Sequence, residues 1–329
     1  MRRPLRARAL AASLVVPLAG AALLVGGQPA YAAPEGFTVR TSAVSAPRGL
    51  AADSRRNLYW VADADSREIY AITPSGTSAG SVPLAFSPTD IEALQMHAGY
   101  LYIGDIGDPK GTRDHITVYR LNALNFGHTG GYHAWDFAYP DGPHDAAAMM
   151  VSPRGNIYIV TRGASAAVYR APASPSTATV NTLIRVADAP AWVTDGTFVG
   201  DSTVALRTFT SVYVLNAYTW HRTAAAELPR QNDGQAITTA LGSAGTLVAL
   251  GGTSADDVAI PRTLASVPPA PSVAPTASSS ASHGPSASAS PAAQNTGGST
   301  ASSRTGTFVA LIAAAVAALV AGGIVALKR

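Results

Sequence analysis

A five-bladed all-β propeller tethered to a membrane at its C-terminal end is the fold class this sequence predicts, and three observations predict it. A tyrosine-marked β unit recurs every 44 to 50 residues, a Ser/Ala/Pro-rich stretch follows it, and the last 23 residues open with a 21-residue run that carries no charge.

The repeat unit is a pair of strands. Leu58-Tyr59-Trp60-Val61, Leu101-Tyr102-Ile103-Gly104, Ile157-Tyr158-Ile159-Val160, Val204-Ala205-Leu206-Arg207 and Leu247-Val248-Ala249-Leu250 each lead to a second strand, centred on Tyr70, Tyr119, Tyr169, Tyr213 and Ala259. A small-residue strand precedes each pair, as in Ala146-Ala147-Ala148-Met149, and a more variable one follows, as in Tyr132 to Tyr139. Four short strands per unit with Gly, Asp and Pro turns is the pattern of propeller blades. The count is five blades, or six if two have been merged. The fifth unit ends near Pro261 without a fourth strand, and Gly36 to Val44 is a spare strand before the first unit. Using the spare strand to complete the last blade closes the ring and removes its exposed edges.

The ends of the chain predict where this domain sits. Arg2, Arg3, Arg6 and Arg8 precede an apolar run and Ala30-Tyr31-Ala32, the layout of an export signal over residues 1–32 cleaved before Ala33. The propeller then occupies 33–262 and a disordered linker 263–306, whose Thr263–Arg304 stretch is too poor in large apolar residues to fold. Thr307 to Leu327 is long enough to cross a bilayer core, and Lys328-Arg329 favours the cytoplasmic side. The expectation is a single-pass plasma-membrane protein with its N-terminal domain extracellular and its C-terminus cytoplasmic.

Charge and composition exclude some functions. Four of the 23 basic residues lie in the leader and two follow the apolar run, leaving 17 against 20 acidic residues between them, which removes the electrostatic support for nucleic-acid binding. No cysteine is present, so disulfides, thiolate metal sites and a cysteine nucleophile are excluded. No serine sits in the Gly-x-Ser-x-Gly context of an activated nucleophile.

What chemistry remains is acidic. Arg48, Asp90, Asp145, Asp195 and Asp233 stand before or at the start of the five small-residue strands, and the innermost strands of a propeller line its axial channel. Glu92 lies two residues beyond Asp90, at a position where the other units carry Leu50, Ala147, Thr197 and Gln235. Carboxylates converging on one mouth would suit a hard cation such as Ca²⁺ held by Asp90, Glu92, Asp145, Asp195 and Asp233. Equally, each Asp could accept backbone N–H bonds in its own turn, repeated because the blade is repeated. A second acidic group, Asp105 and Asp108 with Arg113 and His115, lies in a loop longer than its counterparts: 17 residues separate Tyr102 from Tyr119, against 11 from Tyr59 to Tyr70.

Pro47-Arg48-Gly49-Leu50-Ala51 and Asn57-Leu58-Tyr59-Trp60-Val61-Ala62-Asp63 resemble NHL and YWTD repeats, and Asp90-Ile91-Glu92-Ala93-Leu94 is similar to the acidic strand of phytase-like, esterase-like secreted propellers. The second resemblance implies that Asp90 and Glu92 help to bind calcium; Ala147 and Gln235 depart from it. Three functions follow as expectations. The first is a surface binding or scaffold module for a surface protein or small-molecule ligand, the second a calcium-dependent phytase-like or lactonase-like hydrolase, and the third a structural subunit of a membrane complex.

Overall fold

The computed structural model describes residues 36–64 and 66–263, so the expected signal, the linker beyond Thr263 and the transmembrane segment lie outside the described residues. Among the described residues no helix is long and apolar enough to cross a membrane.

A two-residue strand, β1 (Phe37–Thr38), opens the described chain, and four-stranded antiparallel sheets follow. Blade 1 comprises β2 (Pro47–Asp53), β3 (Leu58–Asp63), β4 (Glu68–Ile72) and β5 (Ser78–Pro83). Blade 2 comprises β6 (Ile91–His97), β7 (Tyr100–Asp105), β8 (Ile116–Leu121) and β9 (Tyr132–Ala138). Blade 3 is β10 (Ala146–Val151), β11 (Ile157–Thr161), β12 (Ala167–Arg170) and, after the short β13 (Asn181–Thr182), β14 (Ile184–Asp188). Blade 4 is β15 (Val193–Phe198), β16 (Thr203–Thr208), β17 (Ser211–Asn216) and β18 (Arg222–Glu227). In blade 5, β19 (Gly234–Thr239), β20 (Thr246–Gly251) and β21 (Ser254–Ala259) are completed by β1, with Phe37 opposite Ala255.

The described residues therefore form an all-β five-bladed propeller, closed by its N-terminal strand as the leftover residues before blade 1 predict. One element departs from the four-strand unit: β13 adds a parallel fifth strand to blade 2, Asn181 opposite Phe137. The buried Asn181 side chain holds that loop, donating to Asp136 O at 3.0 Å and Ser176 O at 2.9 Å while accepting from Ser176 N. Nothing in the repeat marks this strand, because a side chain and not an apolar pattern fixes it.

Each pair of neighbouring blades buries its own apolar layer. Trp60, Ile69, Leu94 and Ile103 fill the space between blades 1 and 2, and Phe137, Met149, Ile159 and Tyr169 that between 2 and 3. Tyr59, Val61, Val248 and Leu250 join blade 5 to blade 1. Since blades pack on both faces, the inner two strands are apolar without alternation; every residue of β10, Ala146 to Val151, is buried. Small side chains recur on the innermost strands because the sheets crowd toward the axis.

Every innermost strand carries an irregularity in the same place. The ladder to its neighbour shifts between Arg48 and Leu50, Ile91 and Ala93, Ala146 and Ala148, Val193 and Asp195, and Gly234 and Ala236. A β-bulge leaves one residue unpaired and re-aims its side chain. In blade 1 that residue is Gly49, at φ 65°, where an added Cβ would lie 2.6 Å from Leu94 N of the next blade. Gly49→Ala is expected to cost about 3 kcal/mol through this backbone clash and the left-handed φ. Equilibrium urea unfolding checks it, and a loss of under about 0.5 kcal/mol, the level of a neutral surface substitution, would contradict the close approach.

Candidate functional site

The shared bulge supplies a register that the sequence repeat blurred. Aligned on it, Glu92 is equivalent to Gly49, Ala147, Thr194 and Gln235, while Asp90, Asp145 and Asp233 match Pro47 and Trp192. Arg48 therefore stands one residue past the aspartate position and Asp195 three residues past it. The five residues expected to form a ring are not equivalent, and the structure does not bring all of them together.

Asp195 turns away from the mouth. It is fully buried, accepting from Gly196 N at 2.7 Å and from Ile237 N of blade 5 at 2.9 Å, with Arg207 paired opposite it across β15 and β16. Burial pushes its pKa well above the usual carboxylate value, against the pull of the two N–H donors and Arg207. Arg207 in turn donates to Ala236 O and Leu250 O at 2.7 and 2.9 Å, and desolvation brings its pKa down to about 10. This pair locks blade 4 to blade 5. Asp233 is exposed at φ 48° on the rim, where it lines a cavity of about 240 Å³ with Arg48 and Gln235.

At the mouth the structure assembles a chain of charges across blades 5, 1, 2 and 3. Arg48 Nη1 donates to Gln235 Oε1 at 3.1 Å and lies 3.6 Å from Glu92 Oε1. Glu92, 4 % exposed, receives Arg162 Nη2 on its other oxygen at 2.7 Å. Arg162 Nη1 then stands 3.6 Å from Asp145 Oδ2, and Asp145 Oδ1 accepts from Asp108 N at 2.8 Å. Burial raises the pKa of Glu92, with Arg162 and Arg48 opposing the shift.

Asp90 completes the group and differs from the rest. Its side chain makes no hydrogen bond among the described residues, although its carbonyl accepts from Ile106 N and Gly107 N at 3.1 and 3.2 Å. Burial is the main cause of its raised pKa; Arg48 and Arg162 pull it down, while Asp145 and Asp105 push it up.

The loop residues divide. Asp105 is buried and accepts from Thr89 N, Asp90 N and Arg113 Nη1 at 3.0, 2.8 and 2.9 Å, so it fixes the turn that presents Asp90. Asp108 accepts from Thr112 N and Arg113 N, closing its own loop in the local role that an aspartate turn allows. His115 is half-exposed with its ring 3.9 Å from Asp136, not directed at this group. Among the described residues, no three His, Cys, Asp or Glu side chains gather in a way that could hold a metal ion.

Sequence reasoning missed Arg162. It directly follows the second strand of blade 3, at a position where the ladders place Asp63, Ile106, Phe209 and Gly252 in the other blades. A residue found in one unit only gives no signal to a comparison of units. The clue available was an uncompensated acid: Glu92 sits in an apolar inner strand and needs a buried partner.

No family model matches the chain, and no curated protein matches it. Solved structures similar to it include a gluconolactonase from Xanthomonas campestris at 10 % identity and TM-score 0.44, covering 70 % of this chain and 99 % of that one. Another is a putative gluconolactonase at 11 % identity and TM-score 0.41, covering 70 % and 94 %, and a third is a streptogramin B lyase at 13 % and 0.37, covering 69 % and 86 %. Similarities of this size carry no inference about a substrate, and the functional reading rests on the mouth itself.

Proposed function

We propose that the protein is a membrane-anchored, extracellular binding module whose channel mouth takes a small polar ligand presenting a cationic or hydroxyl donor to Asp90. The observation that carries this reading is the contrast between Asp90 and Glu92. Both oxygens of Glu92 are engaged by arginines, whereas the Asp90 carboxylate has no hydrogen-bonding partner among the described residues. A preformed polar mouth with one unused acceptor is what a ligand donor would complete.

A hydrolase is the second reading, favoured by the raised pKa values of Asp90 and Glu92, since displaced carboxyl pKa values accompany acid–base chemistry. A calcium ion takes six to eight oxygen ligands, whereas Glu92 and Asp145, the carboxylates beside Asp90, are already engaged by Arg162.

Thermal unfolding of the full chain with ethanolamine, sorbitol or CaCl₂ separates the two. Ethanolamine or sorbitol is expected to raise Tm in the parent protein and to lose that effect in Asp90→Asn. Stabilisation by calcium alone, together with turnover of a lactone or phosphoester that Asp90→Asn abolishes, would replace the binding reading with the hydrolase.

A further inference from the structure

On the face opposite the mouth, where the β10–β11, β15–β16 and β17–β18 turns lie, blades 3 and 4 enclose a groove of about 350 Å³. Its wall is an arc of rings. Tyr158 stands 5.7 Å from Phe198 and 5.2 Å from Trp220, centroid to centroid, with the flanking rings tilted by 51° and 54° to it and all three half-buried. Tyr218, 61 % exposed, stands at the rim. The ladder sets Arg170 directly opposite Tyr158, so both side chains leave the same face of blade 3, and Arg154 comes from the β10–β11 turn. Neither guanidinium has an ion pair or a hydrogen bond among the described residues, and the carboxylate of Asp201, in the β15–β16 turn, has none either. The turn that carries Trp220 is fixed locally. Trp220 sits at φ 59°, its N–H donating to Asn216 O at 2.7 Å, while Asn216 Oδ1 accepts from Tyr218 N and Thr219 N at 2.9 and 3.0 Å. A bulky residue in the left-handed region persists only where its surroundings over-determine it, so this wall stands before any ligand arrives.

The charges decide what such a groove can take. A lone cation would gain from the rings but meet two guanidinium groups against one carboxylate, and a lone anion would pair with the guanidinium groups and gain nothing from the rings. A molecule with a quaternary ammonium at one end and an anion at the other uses both features. The tilted rings make a concave wall for a compact, rounded group, and a methylated ammonium needs no hydrogen-bond acceptor, only aromatic surface. Two free guanidinium groups suit a phosphate, which offers three acceptor oxygens where a carboxylate offers two. The size agrees, since 350 Å³ lies near the lower end of ligand sites, about 300 Å³, and calls for a small molecule. We propose that the groove between blades 3 and 4 binds free phosphocholine, with the trimethylammonium against Tyr158, Phe198 and Trp220 and the phosphate on Arg154 and Arg170. This site is separate from the mouth and works by different chemistry, because a trimethylammonium has no N–H to give to Asp90.

Calorimetric titration of the full chain with phosphocholine tests this. Saturable binding with a Kd below about 1 mM is expected. Phosphoethanolamine, which keeps the phosphate but carries an unmethylated ammonium, and choline, which lacks the anion, should each bind about tenfold more weakly or worse. Trp220→Asn removes one ring while keeping a residue that tolerates a positive φ, and should weaken phosphocholine about tenfold. Arg170→Gln should do the same through the phosphate, and because Arg170 is exposed and unpaired this variant keeps the fold and decides the matter should Trp220→Asn not fold. Absence of saturation, equal affinity for phosphoethanolamine or choline, or an affinity unchanged in Arg170→Gln would each overturn the proposal. Binding lost in Asp90→Asn but kept in Arg170→Gln would move the ligand to the mouth and overturn it, as would recruitment to phosphatidylcholine vesicles without binding of the free molecule.

Discussion

Asp195→Ala is expected to destabilise the propeller by about 3–5 kcal/mol, since it leaves two buried backbone N–H groups without an acceptor at about 1–3 kcal/mol each. The substitution strips Gly196 N and Ile237 N of their acceptor and leaves the buried Arg207 guanidinium with Asp256 as its remaining opposing charge. It also opens the contact between blades 4 and 5, since both the carboxylate and the guanidinium reach across it. Urea unfolding by circular dichroism measures the loss. A change below about 1 kcal/mol would mean that these two hydrogen bonds add nothing over ordinary packing.

Arg162→Met should also have a large effect, about 2–3 kcal/mol at neutral pH, below the range for a fully buried pair because Arg162 is 20 % exposed and solvent screens part of the interaction. Glu92 keeps only Arg48, at 3.6 Å, so its already raised pKa climbs further. The sign of the pH dependence follows. A carboxyl whose folded pKa lies above its unfolded value binds its proton more tightly when folded, so its contribution is most favourable at low pH and is lost as pH rises through the unfolded and then the folded value. The deficit of Arg162→Met relative to the parent is therefore expected to be smallest below the unfolded value, near pH 4, and to grow toward pH 7. Unfolding free energies measured across that range decide it; a deficit that is flat, or largest in acid, would remove Glu92 from the explanation.

The architecture was legible because propeller blades repeat, and each repeat independently reports the same strands. The ring closure was legible by counting, since a last unit short of one strand and a first unit with one to spare admit a simple solution. The site was legible only in part. Asp90, Glu92, Asp145 and Arg48 sit at the mouth where the inner-strand argument put them, but Asp195 does not, because a motif alignment cannot see the one-residue bulge or the three-residue offset in blade 4. Whether an aspartate faces the channel or a neighbouring blade depends on that offset, as an odd shift changes which face of the strand a side chain leaves. Arg162 was invisible for the opposite reason: its partner Glu92 lies 70 residues away and the pairing occurs once.

The closing strand also governs the order in which the molecule can assemble. Phe37 and Thr38 hydrogen-bond to Ala255 and Ser254, near the far end of the described chain, whereas β3 and β4 join residues a few positions apart. Blades 1 to 4 can form as their residues become available, but the seam waits for nearly the whole propeller, and contacts of such long sequence separation form slowly. Until then β21 presents an unpaired edge to any other strand. The seam pairs two residues per strand, extended by one bond from Val39 N to Thr253 O at 2.8 Å and backed by the stacking of Phe37 on Tyr59 at 5.2 Å. Its long sequence separation favours late formation, and its shortness makes it a place where opening can begin, far in sequence from the blade it completes.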